Sequence, residues 1–348
     1  MAKKTAANDD ALRQFKEELK SGELGRCYLL YGEEDYLRGA YLERLRKKLL
    51  SGPAEEFNHH RFTPETLDWN TVTDAVEAMP MMAERTMVEL DDVDLFKEPE
   101  AAREKLTAIL EDIPDYCCLV FVYDTVEYSP DKRLKKLCAA LEKNALAVAF
   151  RRQSASEIRS WIRRHAMAGG KDIDPRACDY LAFLTGGSMT AMNSELLKLT
   201  SYASGSAITK ADIDAVVEPT LDAVTFDISN ALVDGDFERA LAKLRDLFKM
   251  QEEPVLILGA VAGQMRRIRC ARVLMDHGKG ADDLMKLCSM GDYPARLTMG
   301  AARKLSAAFC DRAVLLCLET DRGMKSSYDD PQRLLELLLV RLAQEAKA

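Results

Sequence analysis

Short apolar runs alternate with amphipathic segments over the first 150 residues. The predicted strands are CYLLY (27–31), FNHHRFT (57–63), TMVELDD (86–92), CCLVFVYD (117–124) and LAVAF (146–150). Apolar residues at helical spacing predict helices that contain Leu12, Phe15 and Leu19, then Tyr36, Leu37, Ala40, Tyr41 and Leu45, and helices over 67–78, 100–110 and 131–143. Strands alternating with helices of this length favour a parallel sheet with crossover helices. We expect one α/β domain over residues 1–150.

The pattern is helical from there to the end, and no further strand is predicted. Helices over 156–165, 175–184, 189–202 and 208–217, separated by glycine-containing turns, indicate a small helical domain at 151–219. Beyond Pro219, helices are predicted over 224–233, 237–250, 254–275, 281–288, 298–309, 312–323 and 331–346. The expected fold class is α/β plus all-α, with an all-α bundle over 220–348.

Composition excludes several classes of protein. The nine cysteines form no CxxC motif, which argues against a disulfide framework or a zinc site. The net charge of −8 argues against a free-standing nucleic-acid binder, because such binding depends on cationic contacts to phosphate. The start MAKKTAANDD lacks the apolar segment of a secretory signal, and no apolar run reaches the roughly 20 residues that span a bilayer. We therefore expect a cytoplasmic protein.

The strand CYLLY leads through Gly32 into a helix, which is where a phosphate-binding loop would lie. The pattern GxxxxGK[ST] needs a second glycine, a lysine and a hydroxyl, but Leu37, Arg38 and Gly39 occupy those places. Glu33, Glu34 and Asp35 should fill the first turn of the helix, where they complement the helix dipole and repel an anion. We expect no nucleoside triphosphate to bind in this loop.

In ATPases with a phosphate-binding loop, a second strand ends in the aspartate that organises magnesium, and TMVELDD has the form of that strand. Asp91 and Asp92 have an equally good interpretation as an acidic cap where the strand leaves the sheet. Without a phosphate loop they have no metal-nucleotide to serve.

Five segments together resemble the delta-subunit family of bacterial DNA polymerase III clamp loaders. They are YLLYGEEDYLRGAYLERL, AMPMMAERTMVEL, MNSELLKLTSYA, ITKADIDAVV and FDISNALVDGDFERALAKLRDLFKMQEEPVLILGAVAGQMRRI. The resemblance covers nearly the whole chain. It implies an AAA+-like domain without ATPase residues, a helical lid and a helical collar. The implied partners are the sliding clamp (beta subunit), clamp-loader ATPase and delta-prime subunits, and primed DNA through the assembled complex. No cofactor, catalytic residue or membrane is implied.

The resemblance places clamp binding on Met79, Pro80, Met81 and Met82. In the family, a helix end carries two large apolar residues that enter a hydrophobic pocket on the clamp, and here the pair is Met81 and Met82. Pro80 redirects the chain, and methionine adapts to irregular pockets. The alternative is that these methionines fill the groove between helix and sheet. An aromatic residue is usual at the second place, so Met82 departs from the family pattern.

Other candidates are weaker. His59 and His60 alternate faces on a strand and cannot both bind one metal ion. One basic group could face primer-template DNA or another subunit, or could equally be a soluble helix start; it comprises Lys132, Arg133, Lys135 and Lys136. A second could meet DNA phosphates or acidic neighbours, although a solvated face is favoured; it comprises Arg266, Arg267, Arg269 and Arg272. No nucleophile, base and acid form a catalytic set.

The function expected from the sequence is that of a clamp-loader delta subunit, which binds and opens the sliding clamp so that ATP-hydrolysing partners can load it. Two alternatives stay open. One is a working AAA+ NTPase with an unorthodox nucleotide loop, and the other is a structural scaffold of the replication machinery.

Overall fold

The computed structural model describes residues 2–50, 55–326 and 329–346. The chain divides into two compact units, Met1–Gln153 and Ser154–Ala348. Helices and strands alternate in the first unit, and the second is almost entirely helical. The predicted fold class is thus confirmed. Among the described residues, no helix is long and apolar enough to cross a membrane.

The first unit contains a parallel sheet with helices on both faces. Its elements are α1 (Ala2–Ser21), β1 (Cys27–Tyr31), α2 (Asp35–Leu49), α3 (Glu55–Asn58), β2 (His59–Phe62), α4 (Trp69–Glu77), β3 (Thr86–Asp91), α5 (Glu100–Glu111), β4 (Cys117–Val122), α6 (Lys135–Asn144) and β5 (Leu146–Ala149).

The strand order is β2-β3-β4-β1-β5, and every adjacent pair is parallel. Successive residues of β1 point to opposite faces of the sheet. Tyr28 and Leu30 pack with α1 and α2, whereas Cys27 and Leu29 pack with α4, α5 and α6. Apolar residues on both faces explain why β1 and β4 are continuous apolar runs.

Two predicted details of this unit are wrong, and a third is confirmed in part. Phe57 and Asn58 belong to the short helix α3, and the strand begins at His59. Helix α6 begins at Lys135 rather than at 131, because the Asp131 side chain accepts a hydrogen bond from the Arg133 backbone and holds a turn there. The buried face of α2 comprises Arg38, Leu42, Leu45 and Leu49, and Leu37 and Tyr41 of the predicted stripe pack against the same core while partly buried.

The elements of the second unit are α7 (Ala155–Ala168), β6 (Asp172–Ile173), α8 (Pro175–Leu184), α9 (Met189–Tyr202), β7 (Ala207–Ile208), α10 (Lys210–Val216), α11 (Leu221–Val233), α12 (Phe237–Lys249), α13 (Pro254–Asp276), α14 (Ala281–Cys288), α15 (Asp292–Arg303), α16 (Ala307–Ser326) and α17 (Pro331–Glu345). One apolar core connects α11 to α17.

Two predictions for this unit fail. β6 and β7 form a two-residue parallel pair where no strand was expected. The predicted helix over 298–309 is two helices, since α15 ends at Arg303 and α16 begins at Ala307, where the Ser306 hydroxyl accepts a hydrogen bond from the Phe309 backbone. The ring of Phe183 in α8 packs against Phe226 and Tyr293 of the bundle, which joins the small helical part to it. The domain boundary at 219 stays a prediction.

Candidate partner-binding turn and residual nucleotide loop

The chain between α4 and β3 forms a tight turn at the edge of the first unit. Residues 79–82 are called here the methionine turn. Helix α4 buries Val72 and Val76 against the sheet, and the Tyr116 hydroxyl donates to the Glu77 carbonyl at its end (3.0 Å). The turn follows at once, because Ala78 takes an extended conformation. Tyr116, which directly precedes β4, thus holds the end of α4 where the turn begins.

The methionine side chains of this turn face solvent. Met79 is 76% exposed, Met81 51% and Met82 86%. They therefore do not fill the groove between α4 and the sheet, which was the alternative left open by the sequence. Exposed apolar side chains that lie together on a soluble protein typically mark an interaction site.

Buried polar side chains hold the turn in place. The amide of Asn58, itself 1% exposed, donates to the Met81 carbonyl (2.8 Å) and accepts from the Met81 backbone N–H (2.7 Å). Met82 has a φ of 51°, a left-handed conformation that costs a non-glycine residue about 1–2 kcal/mol. Surrounding contacts must maintain such a conformation. The methionines thus stand on a pre-organised backbone.

Arg85 fixes the return of the chain into β3. Its guanidinium donates to the carbonyls of Leu24 (2.9 Å), Gly25 (2.9 Å) and Cys117 (3.0 Å). The sequence analysis missed Asn58 and Arg85. The segments they connect are far apart along the chain, so periodicity gave no signal of these contacts.

The loop after β1 packs closely against the backbone at Phe150. Gly32 has a φ of 120°, and a Cβ there would collide with the Phe150 backbone at the end of β5. The Glu34 N–H donates to the Phe150 carbonyl (3.0 Å), which fixes the loop against that strand. The glycine is needed for this close approach.

Arg38 takes the place of the phosphate-loop lysine, and its side chain is buried and bonded to other residues of the chain. Its side chain is 3% exposed, donates to the Gly32 carbonyl (2.6 Å) and forms an ion pair with Asp124 beyond β4. Its charge is therefore engaged by the protein itself.

The acidic residues of the loop are placed differently from the prediction. Asp35 lies in the first turn of α2, whereas Glu34 is the capping residue before it and Glu33 pairs with Arg152 (3.1 Å). Burial, and then the charge of Asp35, raises the pKa of Glu34. All three carboxyl groups belong to the residues that lead into α2 or begin it.

Asp92 acts as the acidic cap considered in the sequence analysis. Its carboxylate accepts hydrogen bonds from the backbone N–H groups of Asp124 (2.7 Å), Thr125 (2.9 Å) and Val126 (3.2 Å). Asp91 pairs with Arg61, and burial followed by the charge of Glu89 raises the pKa of Asp91 to about 6. Both aspartates thus have structural contacts.

A buried ion cluster lies beside Asp91. The Glu89 side chain is fully buried; Arg46 donates to both of its oxygens, and Nε2 of His59 lies 3.0 Å away. His60 does not join it, and burial followed by the nearby His59 lowers the pKa of His60. No group of His, Cys, Asp and Glu able to hold a metal ion occurs in the part of the chain that the structure describes.

The two predicted basic groups are on separate units. All four side chains of the first group, Lys132, Arg133, Lys135 and Lys136, are exposed. The last three line a groove of about 850 Å³ between α5 and α6, together with Glu100, Glu104 and Glu111. On α13, Arg266 is exposed and Arg267 is half-buried, while Arg269 and Arg272 pair with Asp311 and Asp276. DNA contact by either group stays a prediction.

Comparison with known families settles what kind of chain this is. A profile described as "DNA polymerase III, delta subunit" matches residues 28–151, and one described as "DNA polymerase III delta subunit, C-terminal domain" matches residues 222–342. The two segments together exceed half of the chain. It belongs to the DNA polymerase III delta subunit family.

Individual relatives agree with the delta family. The chain is 27% identical over 330 residues to the DNA polymerase III subunit delta of Bacillus subtilis, covering 93% of this chain and 94% of that one. It is 25% identical over 253 residues to the Escherichia coli subunit, covering 70% of each. The solved B. subtilis DNA clamp loader delta protein superposes with a TM-score of 0.61 at 24% identity, covering 95% of this chain and 99% of that one. The chain therefore shares its overall fold with that structure.

The matched segments include the features described above. The first contains the nucleotide loop, the methionine turn, Asn58 and Arg85, and the second contains most of the α11–α17 bundle. A functional role for the methionine turn stays a prediction.

Proposed function

We propose that this chain binds the sliding clamp through the methionine turn, opens it, and acts in the cytoplasm beside clamp-loader ATPase and delta-prime subunits. The observation that carries the proposal is the exposure of Met79, Met81 and Met82 on a backbone held by Asn58 and Arg85. A rigid turn loses little conformational entropy on binding, so more of the apolar burial contributes to affinity.

Clamp opening follows from linkage. A subunit that binds the opened ring more tightly than the closed ring shifts the equilibrium toward opening by the difference between the two binding free energies. The chain needs no chemistry of its own for this step.

The alternative of a working NTPase is not favoured. Arg38 donates a hydrogen bond to the Gly32 carbonyl and pairs with Asp124, and Asp92 accepts hydrogen bonds from the backbone N–H groups that follow β4. A phosphate would have to displace these contacts and approach Glu33, Glu34 and Asp35. We infer a non-catalytic subunit.

We expect neither the wild type nor the triple variant Leu37→Gly, Arg38→Lys, Gly39→Thr to bind or hydrolyse ATP. The variant restores the phosphate-loop pattern but leaves the acidic residues in place and supplies no catalytic base. Equilibrium dialysis with labelled ATP and magnesium measures binding, with an ordinary phosphate-loop ATPase as the positive control. Magnesium-dependent binding by the wild type would restore the NTPase alternative.

We place subunit assembly on the helical bundle. Helices α16 and α17 pack antiparallel, as the Arg312–Glu345 (3.4 Å) and Arg341–Glu319 (3.6 Å) ion pairs indicate. Together they present four exposed apolar side chains, Leu315, Leu318, Leu337 and Val340. An apolar face on packed helices suits stable contact with neighbouring subunits.

Leu318→Glu combined with Leu337→Glu should weaken assembly with the partner subunits by at least about 100-fold, since charges are depleted from interface cores. Clamp binding should persist. Size-exclusion chromatography with purified ATPase and delta-prime subunits measures assembly. Leu197→Glu, at a 64% exposed position of α9, is the matched control. Normal assembly of the double variant would contradict this placement.

A further inference from the structure

The methionine turn has an apolar neighbour that comes from another part of the chain. Of the large apolar side chains described in the first unit, four are exposed: Phe57, Met79, Met81 and Met82. Phe57 lies in α3, more than twenty residues before the turn, and its ring is 64% exposed. An exposed phenylalanine in the same unit as three exposed methionines needs an explanation.

Asn58 connects the two segments. It directly follows Phe57 and forms both hydrogen bonds to the Met81 backbone, at 2.7 and 2.8 Å. The backbone that carries the ring is therefore fixed to the backbone that carries the methionines. Burial of Asn58 protects these bonds from competition by water. The two segments that carry the four exposed apolar side chains are thus joined through Asn58.

We propose that Phe57 is a second anchor of the clamp-binding surface, beside the methionine turn. This inference rests on the clamp binding proposed above and names a residue that determines its strength and specificity. An aromatic ring buries a large apolar area with only two rotatable side-chain bonds, and aromatic residues are enriched among those that dominate interfaces.

The charges around the surface indicate the chemistry of the partner. Exposed carboxylates flank the four apolar residues along both segments, at Glu55, Glu56, Glu77 and Glu84. The matching surface is therefore an apolar pocket rimmed by basic side chains. A second copy of this chain is a poor occupant, because its own acidic rim would face a rim of the same charge.

The test compares Phe57→Ala, Phe57→Leu and Tyr202→Ala with the wild type in titrations of the purified sliding clamp. Phe57→Ala should weaken binding about 10- to 30-fold, and Phe57→Leu by a smaller factor because it keeps part of the apolar area. Tyr202 is a matched control, since it is an exposed aromatic residue (58%) of the second unit, and its variant should bind normally. Higher salt should weaken wild-type binding through the acidic rim.

Several outcomes would overturn the inference. If Phe57→Ala binds the clamp normally and Met81→Ala/Met82→Ala does not, Phe57 is not an anchor, but the proposed function stands. Normal binding by both variants would remove the proposed function as well. A lowered melting temperature of Phe57→Ala would show that the ring has a structural role. If sedimentation shows that Phe57→Ala abolishes self-association while clamp binding is unchanged, the surface binds a second copy of the chain.

Discussion

Replacing Met81 and Met82 together by alanine should abolish clamp binding and leave the fold intact. Their side chains are 51% and 86% exposed, so truncation creates no cavity in the core. Fully burying one methionine side chain contributes about 1.5–3 kcal/mol. Loss of two at the centre of an interface should weaken binding by about two to four decades.

Clamp titration and thermal unfolding of the same samples test this expectation. The matched control is Met167→Ala with Met250→Ala, two exposed methionines of the second unit (63% and 47%), which should bind the clamp normally. Backbone contacts of Asn58 and Arg85 hold the turn, so the melting temperature should not change. A double variant that melts well below wild type would show that the methionines are structural.

Arg46→Met should lower the free energy of unfolding by about 2–4 kcal/mol. Glu89 is fully buried, and the variant removes the cation that donates to both of its oxygens. Removing one member of a buried ion pair is strongly destabilising because the other charge stays buried and uncompensated. We expect a loss toward the lower end of this range, because Arg46 is partly exposed and His59 still contacts Glu89.

The same variant should have a characteristic pH dependence. Although burial opposes ionisation, hydrogen bonds from His59 and Arg46 lower the pKa of Glu89 from 4.5 to about 2. The ion pairs therefore stabilise the fold above pH 4.5, and this stability is lost as the pH falls toward 2. The difference in the free energy of unfolding between wild type and Arg46→Met should be largest above pH 4.5 and should decrease below that pH.

Denaturant unfolding across this pH range provides the measurement. Lys47→Met is the matched control, because Lys47 is the next residue of α2, is 75% exposed and pairs with Glu43 at 3.6 Å. Exposed pairs contribute little, so its effect should stay within about 0.5 kcal/mol. Equal stability of Arg46→Met and wild type at neutral pH would contradict the assigned role of the Glu89 cluster.

The parallel sheet could be predicted because its strands are buried on both faces and stand out as apolar runs. Cys117–Val122 is wholly buried, and helices α4, α5 and α6 bury apolar residues at helical spacing. The loss of the phosphate loop was equally visible, since its chemistry depends on residue types at fixed spacing. Both are local signals.

Features that depend on long-range contacts could not be predicted. Phe57 and Asn58 continue the pattern of the following strand, and what distinguishes them is the contact of Asn58 with Met81. The break between α15 and α16 has no proline or glycine, and depends on the hydrogen bond from the Phe309 backbone to Ser306. Exposure of the methionines also required the structure, because the same residues could have filled a groove.

The most direct test of the central claim compares the affinity of this chain for two forms of the sliding clamp, measured without nucleotide. One form is the ordinary ring, and the other is a ring locked shut by covalent links across its subunit interfaces. If the chain opens the clamp by preferring the open state, it should bind the ordinary ring more tightly than the locked ring, with Met81→Ala/Met82→Ala binding neither. Equal affinity of the wild type for both rings would contradict clamp opening, and no affinity for either would contradict clamp binding.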